Sequence, residues 1–351
     1  MNPENKHINH LTKPLLSVRN LKTYFKLDEG LVKAVDGVEF DVYPGQVVGI
    51  VGESGCGKSV MIKSVLRIVE KPGEIVDGEI WFHPQKGLGT NGQYADLVKL
   101  KARGEKMRQI RGNEIALIPQ EPMAAFSPVH TIGNQLIEAV RLHQKVNKRK
   151  AFDIAVKALQ EVGMPNPEQR MSAYSWELSG GLRQRAMIAM ALTCSPSLLI
   201  ADEPTTAIDV TTQAQVLNLL RSLQERHNMS IIFITHDLGV IAQVADFVVV
   251  MYLGRVMETG TVDDIFHNPQ HPYTKALLDS IPTVHSPSKE LLPTIEGSIP
   301  HPFNRPAGCP FYPRCANFMS GVCNKRTPIL QKINEKQSVS CFLYHDKAEE
   351  D

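Results

Sequence analysis

Apolar positions along the chain change their period twice. From Leu15 to Val51 they come in short alternating or continuous runs, Leu16-Ser-Val-Arg, Gly37-Val-Glu-Phe-Asp-Val42 and Gln46-Val-Val-Gly-Ile-Val51, separated by Asp/Glu-Gly and Pro44-Gly45 turns. Such runs predict the strands of a small β-rich region. A further strand is predicted at Gly78-Glu-Ile-Trp-Phe82, ahead of a glycine-punctuated loop at Gly87–Gly92, and a buried one at Ile115-Ala-Leu-Ile118 that runs into Pro119-Gln120. Between Glu121 and Leu178 the spacing turns helical, with helices expected near Gly133–His143 and Phe152–Val162 and no strand signal. That block predicts a helical subdomain, about 121–182, inserted into an α/β core. The core resumes with a helix over Leu182–Thr193 and continuous apolar strands at Leu198-Leu-Ile-Ala201 and Ile231-Ile-Phe-Ile234. Continuous apolar strands are the pattern of a parallel sheet covered on both faces. After Val262 prolines recur from Pro269 to Pro313 and four cysteines follow, so a separate, loop-rich C-terminal domain is expected. Residues 1–14 are polar and are expected to be disordered.

At 351 residues the chain exceeds one typical domain, and its 42% apolar residues suffice for a packed core. A formal net charge of +1, with basic residues scattered along the chain, offers no general attraction to nucleic acid phosphates. No stretch approaches the roughly 18 uninterrupted apolar residues of a membrane span. Nor does Met1-Asn-Pro-Glu-Asn-Lys-His-Ile-Asn-His10 hold the apolar core of a signal peptide, so a cytoplasmic location is expected. Disulfides are rare in that compartment, and the six cysteines are therefore not read as disulfide partners. Cys56 and Cys194 fit as small buried residues.

Gly52-Glu-Ser-Gly-Cys-Gly-Lys-Ser59 lies between a strand pattern and the helix pattern that opens with Val60. Glycine lets the backbone turn its N–H groups inward toward an anion, and the helix start adds its own unpaired N–H groups. The spacing is that of a phosphate-cradling loop, with Lys58 placed to reach the β/γ-phosphates and Ser59 to ligate Mg²⁺. The strand Leu198–Ala201 ends in Asp202-Glu203, one carboxylate able to hold a Mg²⁺ water shell and the next to polarise an attacking water. Alone, the pair would equally suit an acidic helix cap. His236 follows the Ser230–Thr235 strand and Gln120 follows another, at the same edge of the sheet. Ser179-Gly180-Gly181 precedes a helix and forms a second anion site with a capping hydroxyl.

This ordered set, with Ala207-Ile-Asp209, resembles the nucleotide-binding subunit of ATP-binding-cassette (ABC) proteins over residues 15–262. The resemblance implies a P-loop NTPase cassette, that is, a RecA-like parallel sheet core, an antiparallel β subdomain and a helical subdomain. It implies that two such subunits sandwich ATP, each P-loop facing the other subunit's Ser-Gly-Gly segment. By matching position, Gly52, Ser54, Gly55, Cys56, Gly57, Lys58, Ser59 and Val60 hold the nucleotide. Ser59 and Gln120 contact Mg²⁺, Asp202 holds its water, Glu203 is the base and His236 senses the γ-phosphate. Phe25 is the better match for the ring that stacks on adenine, with Tyr24 the alternative. Pro119, Leu182 and Ile208 depart from the commoner phenylalanine, glutamine and leucine, and none removes a catalytic group. Soluble ABC ATPases of DNA repair or translation usually carry two cassettes or a long coiled coil; here there is one cassette, and Glu121–Leu178 lacks sustained heptads.

His267-Asn-Pro-Gln-His-Pro-Tyr-Thr-Lys-Ala-Leu-Leu278 and Gly308-Cys-Pro-Phe-Tyr-Pro-Arg-Cys315 resemble the C-terminal extension, here 263–351, of dipeptide/oligopeptide/nickel importer ATPases. Ala124-Ala-Phe-Ser-Pro-Val-His-Thr-Ile-Gly133 resembles the first ATPase subunit of that group. The resemblance implies peptide import at the cytoplasmic membrane face, with oligosaccharide or nickel as alternative cargo. It implies as partners a second, homologous ATPase subunit, two permease subunits docked on the helical insert, and an extracytoplasmic binding protein. Cys309, Cys315, Cys323 and Cys341 stand in a segment poor in periodic apolar residues, where soft thiolates meeting at zinc or an iron–sulfur cluster would supply stability. The spacing leaves zinc, cluster and free thiols open; the resemblance favours a structural [4Fe–4S] cluster, with ATP binding surviving its loss.

Overall fold

The computed structural model describes residues 13–86, 94–121, 125–205, 209–281 and 295–344. The expected loop at Gly87–Gly92, residues 1–12 of the polar tail, Ala124 and Ala207-Ile208 lie outside them. Alternation in the N-terminal part closes into an antiparallel sheet of β1 (Leu16–Leu27), β2 (Gly30–Val42), β4 (Gly73–Phe82) and β5 (Ala95–Asp96), in the order β2-β1-β4-β5. Strands β1 and β2 run longer than their apolar runs predict. Their ladder continues from Leu16↔Val42 to Leu27↔Gly30, and backbone hydrogen bonding carries the hairpin through its polar end.

The second sheet holds β3 (Val47–Val51), β6 (Ile115–Ile118), β7 (Leu198–Asp202), β8 (Ser230–Ile234), β9 (Phe247–Tyr252), β10 (Arg255–Thr261), β11 (Gln331–Lys332) and β12 (Ser338–Val339). Its order is β11-β12-β10-β9-β3-β8-β7-β6. Strands β9, β3, β8, β7 and β6 are parallel neighbours, so the carboxyl ends of β3, β8, β7 and β6 open along one edge. At such an edge parallel α/β sheets gather their ligands. The continuous apolar runs are buried as expected: β3 and β8 are buried along their whole length.

Between β6 and β7 stand the helices Ile132–His143, Lys148–Glu161, Pro167–Arg170 and Gly180–Leu192. Thr131 and Asn147 cap the first two, their side chains accepting from the N–H groups of Asn134 and Lys150. One apolar core joins these helices to the parallel sheet and reaches the C-terminal segment at Cys309, Phe311 and Cys323. The other fills the space between the two sheets and takes in Met61, Ile62 and Val65 of the helix Lys58–Val65.

Beyond β10 the chain makes the helices Val262–His267 and Pro272–Asp279, then mostly turns. Its last strand, β12, returns to pair with β10 at Glu258↔Val339 and Thr259↔Ser338. The extension thereby adds its own two short strands to the cassette sheet.

Candidate active site

The loop after β3 is bent where only glycine fits. Gly52 has φ 151°, and a Cβ there would sit 2.1 Å from the Met251 carbonyl; Gly57, at φ 102°, would meet the Ala34 carbonyl at 2.2 Å. Gly57 also caps the helix Lys58–Val65, whose first N–H groups are thus left to the loop's interior. Lys58 is buried, its Nζ donating to the carbonyls of Gly52 (2.7 Å) and Glu53 (3.2 Å).

Two linked groups lie at the neighbouring strand ends. In the first, the Ser59 hydroxyl lies close enough to the Asp202 carboxylate to favour its charged form, and the carboxylate's Oδ1 is buried without a hydrogen-bond partner among the described residues. Burial pushes the Asp202 carboxyl above the usual range, and the charge of Glu203 adds to it against Ser59 and Lys58. A buried carboxylate with an open oxygen beside a serine hydroxyl fits a hydrated Mg²⁺. In the second group Gln120 Nε2 donates to Glu203 Oε2 at 2.8 Å, and His236 Nδ1 lies 3.4 Å from Glu203 Oε1. Glu203 has φ 47°, a strained conformation for a residue with a side chain, held by its N–H bond to the Ile234 carbonyl.

Ser179 occupies the N-cap position of Gly180–Leu192, but its hydroxyl makes no capping bond. Ser179 and Gly180 are exposed, and a Cβ on Gly180 would meet nothing within 4 Å. In the helix that follows this turn, Gln184 Nε2 donates to the Pro204 carbonyl (2.6 Å) and so ties the helix to the segment just after Asp202-Glu203. The two aromatic candidates part company. The Tyr24 hydroxyl donates to Asp36 Oδ1 at 2.6 Å, while the Phe25 ring lies against the backbone of Gly73, where a Cβ would come within 2.5 Å of it.

Cys309, Cys315, Cys323 and Cys341 line one small cavity of about 10 Å³. Burial pushes up the thiols of Cys309, to about 12, of Cys341, to about 11, and of Cys315. Among the described residues no three such side chains converge on the position of a single metal ion.

Sequence reading missed what ties this cavity to the phosphate loop. Arg314 clamps Glu53 with two hydrogen bonds, and the Tyr273 hydroxyl accepts the Glu53 N–H. A second tie joins Arg305 and Arg255 to Asp36 at 3.0 and 3.3 Å. Arg314 and Tyr273 lay in motifs already conspicuous for other reasons, and nothing in either motif names its partner.

A family model described as ABC transporter matches residues 35–206, and one described as oligopeptide/dipeptide transporter, C-terminal region, matches 257–323. The chain is 46% identical to a probable peptide ABC transporter ATP-binding protein of Sinorhizobium fredii, over 93% of this chain and 94% of that one. It is 46% identical to the dipeptide transport ATP-binding protein DppD of Bacillus subtilis (95% and 96% covered). With the oligopeptide transport ATP-binding protein AppD of the same organism identity is 47% (96% and 98% covered). Among solved structures it shares the fold of the ATP-binding cassette MJ0796, in a dimeric post-hydrolysis state bound to ADP and phosphate. The TM-score there is 0.60 at 22% identity, with 70% of this chain and 98% of that chain covered.

Proposed function

The chain belongs to the ABC transporter family, and from that membership we propose that it is the ATP-hydrolysing subunit of an importer of short peptides. The observation that carries this is the meeting of Lys58, Ser59, Gln120, Asp202, Glu203 and His236 at adjacent strand ends in a chain that also bears the oligopeptide-type extension. Relatives named for peptide or dipeptide transport, matched over nearly their whole length, support peptide over oligosaccharide or nickel as cargo.

Each residue's task follows from its chemistry. Lys58 and the loop N–H groups bind the β- and γ-phosphates, while Ser59 and Gln120 would hold Mg²⁺ and the open oxygen of Asp202 would hold the metal's water. Mg²⁺ supplies neutralisation of phosphate charge. Glu203 accepts the proton of the attacking water, and His236, on its other oxygen, contacts the γ-phosphate. Phe25, whose hydroxyl-free ring is not tied to Asp36 as Tyr24 is, stacks on adenine. The exposed Ser179-Gly180-Gly181 turn serves the ATP of a facing subunit, a homologue of this chain.

Among the described residues no helix is long and apolar enough to cross a membrane, so transport requires permease subunits. Val129 (74% exposed) and Trp176, stacked on Tyr174, flank the Thr131↔Tyr174 bridge in sequence and offer exposed apolar side chains of the helical insert to a permease at the cytoplasmic membrane face. A binding protein outside the membrane delivers the peptide to that permease.

The four cysteines around a common cavity, in an extension of the oligopeptide-transporter type, are read as holding a structural [4Fe–4S] cluster, with zinc as the alternative. The cluster would draw thiolates from two buried and two half-buried cysteines and so add the cohesion that turns alone lack. Membrane preparations should yield this chain with a permease pair and a second ATPase, and proteoliposomes of the complex should accumulate peptide only with ATP. Co-purification with a sugar or nickel transporter would overturn the cargo. Anaerobic protein should be brown with about four irons per chain; colourless protein with one zinc would remove the cluster.

A further inference from the structure

The C-terminal extension grips the phosphate loop at Glu53, the first residue after the strained Gly52. Arg314 Nη1 donates to Glu53 Oε2 at 2.7 Å and Nη2 to Oε1 at 3.1 Å, a bidentate pair with the arginine side chain only 5% exposed. The guanidinium is itself fixed: Nη1 reaches the Tyr252 hydroxyl at 3.3 Å, the group lies 5.8 Å over the Tyr252 ring, and Nε donates to the Glu296 carbonyl at 3.1 Å. From the same side the fully buried Tyr273 presents its hydroxyl to the Glu53 N–H at 3.0 Å, its ring packed on Tyr252 and Phe311. Side chain and backbone of one loop residue are therefore both held by the extension.

We propose that Arg314 and Tyr273 are positioning residues for ATP: through Glu53 they hold the phosphate loop in its binding conformation. A loop with glycine at positions 52, 55 and 57 has many conformations to lose, and ordering it beforehand removes that loss from the binding step. Lys58 depends on the same frame, since its Nζ rests on the carbonyls of Gly52 and Glu53. Arg314 and Tyr273 lie outside the segment 52–59 and act on it through Glu53, so the effect belongs in affinity and not in the chemical step. The inference rests on residues 52–59 being the ATP loop and is independent of what fills the cysteine cavity.

The test is nucleotide titration of the full-length chain without Mg²⁺, followed by steady-state hydrolysis in the assembled transporter. Arg314→Gln should weaken ATP binding about tenfold and Tyr273→Phe about threefold, the ranges for losing a charged and a neutral hydrogen bond. In both, KM for ATP should rise while kcat stays. Glu53→Gln should match Arg314→Gln, and the double variant should be no weaker than either single one. Tyr273→Phe guards against a folding defect, because the buried ring remains. ATP affinity equal to wild type in folded Arg314→Gln and Tyr273→Phe, or strictly additive losses in the double variant, would overturn the inference. Absence of ATP binding by the wild-type chain would instead overturn the reading of the loop.

Discussion

The catalytic edge and the C-terminal extension hang from the same eight-stranded sheet, yet they are held in opposite ways. At the edge each functional group stands at a strand end: Gly52 follows β3, Gln120 follows β6, Asp202 ends β7 and His236 follows β8. The backbone ladder fixes the positions from which these side chains reach one another, as Gln120 and His236 reach Glu203. The extension contributes two strands of two residues each. What organises it is a buried carboxylate, Glu258, which accepts from the N–H groups of Gln270 (2.7 Å) and His271 (2.9 Å) and from Gln337 Nε2 (2.8 Å). There the side chains are the scaffold. A change at the edge should therefore alter chemistry without loosening the fold, and a change in the extension should loosen structure first.

The sharpest way to break that contrast is Glu203→Gln. Removing the base while keeping the shape should lower hydrolysis by on the order of 10²–10⁴-fold and leave ATP and Mg²⁺ binding and the melting temperature unchanged. Near wild-type hydrolysis would remove Glu203 from its role. Ser179→Arg comes next, because it fills an exposed turn that the shared-site reading assigns to the facing subunit's ATP. In a mixed dimer it should cut hydrolysis at the partner's loop by on the order of 10²-fold, the scale of one lost charge-stabilising donor. Its own loop should bind ATP normally, and loss of that binding would contradict the shared site.

The same contrast governs what the sequence could disclose. Strand ends were legible because Leu198–Ala201 and Ile231–Ile234 are apolar throughout and the polar residues that follow them mark the edge. The helical insert was legible from its period, to within a few residues at Ile132–His143 and Lys148–Glu161. Strands β9 and β10, by contrast, were not anticipated, and β12 could not be: Ser338-Val339 carries no pattern, and its place comes from pairing with β10 across about 80 residues of chain. Arg314–Glu53 and Arg305–Asp36 were invisible for the same reason. Their partners are distant in sequence, and a lone arginine in a proline-rich run does not announce a carboxylate elsewhere.

Cys315→Ser tests whether the extension's structure reaches the chemistry. Arg314 immediately precedes Cys315 and ends the short turn Tyr312–Arg314, so a cavity that fails to close should release the clamp on Glu53. The variant should lose colour and exchange amides faster after about residue 300. Its ATP affinity should fall about tenfold, as for Arg314→Gln, a tighter coupling than an independent C-terminal domain would give. Wild-type affinity in bleached protein would show that the turn holds Arg314 without help from the cavity.

The smallest effect belongs to the second tie. Asp36 faces Arg305 at 3.0 Å and Arg255 at 3.3 Å and accepts from the Tyr24 hydroxyl at 2.6 Å. Burial alone would raise its carboxyl, but the Tyr24 hydrogen bond and the two guanidinium charges outweigh it and hold the group below the ordinary 3.8. A depressed acid binds fewer protons folded than unfolded, so its contribution is present in full above that ordinary value and is lost as the pH falls below it. Asp36→Asn should leave Arg305 without its counter-charge and lower the opening free energy of residues 300–306 by about 1–3 kcal/mol. Hydrogen exchange there should quicken in the variant at neutral pH, whereas the phosphate loop, held separately through Glu53, keeps its ATP affinity. On acidification below 3.8 the wild type should converge on the variant. If the two differ by the same amount at every pH, the tie is steric and the Asp36 charge plays no part in it.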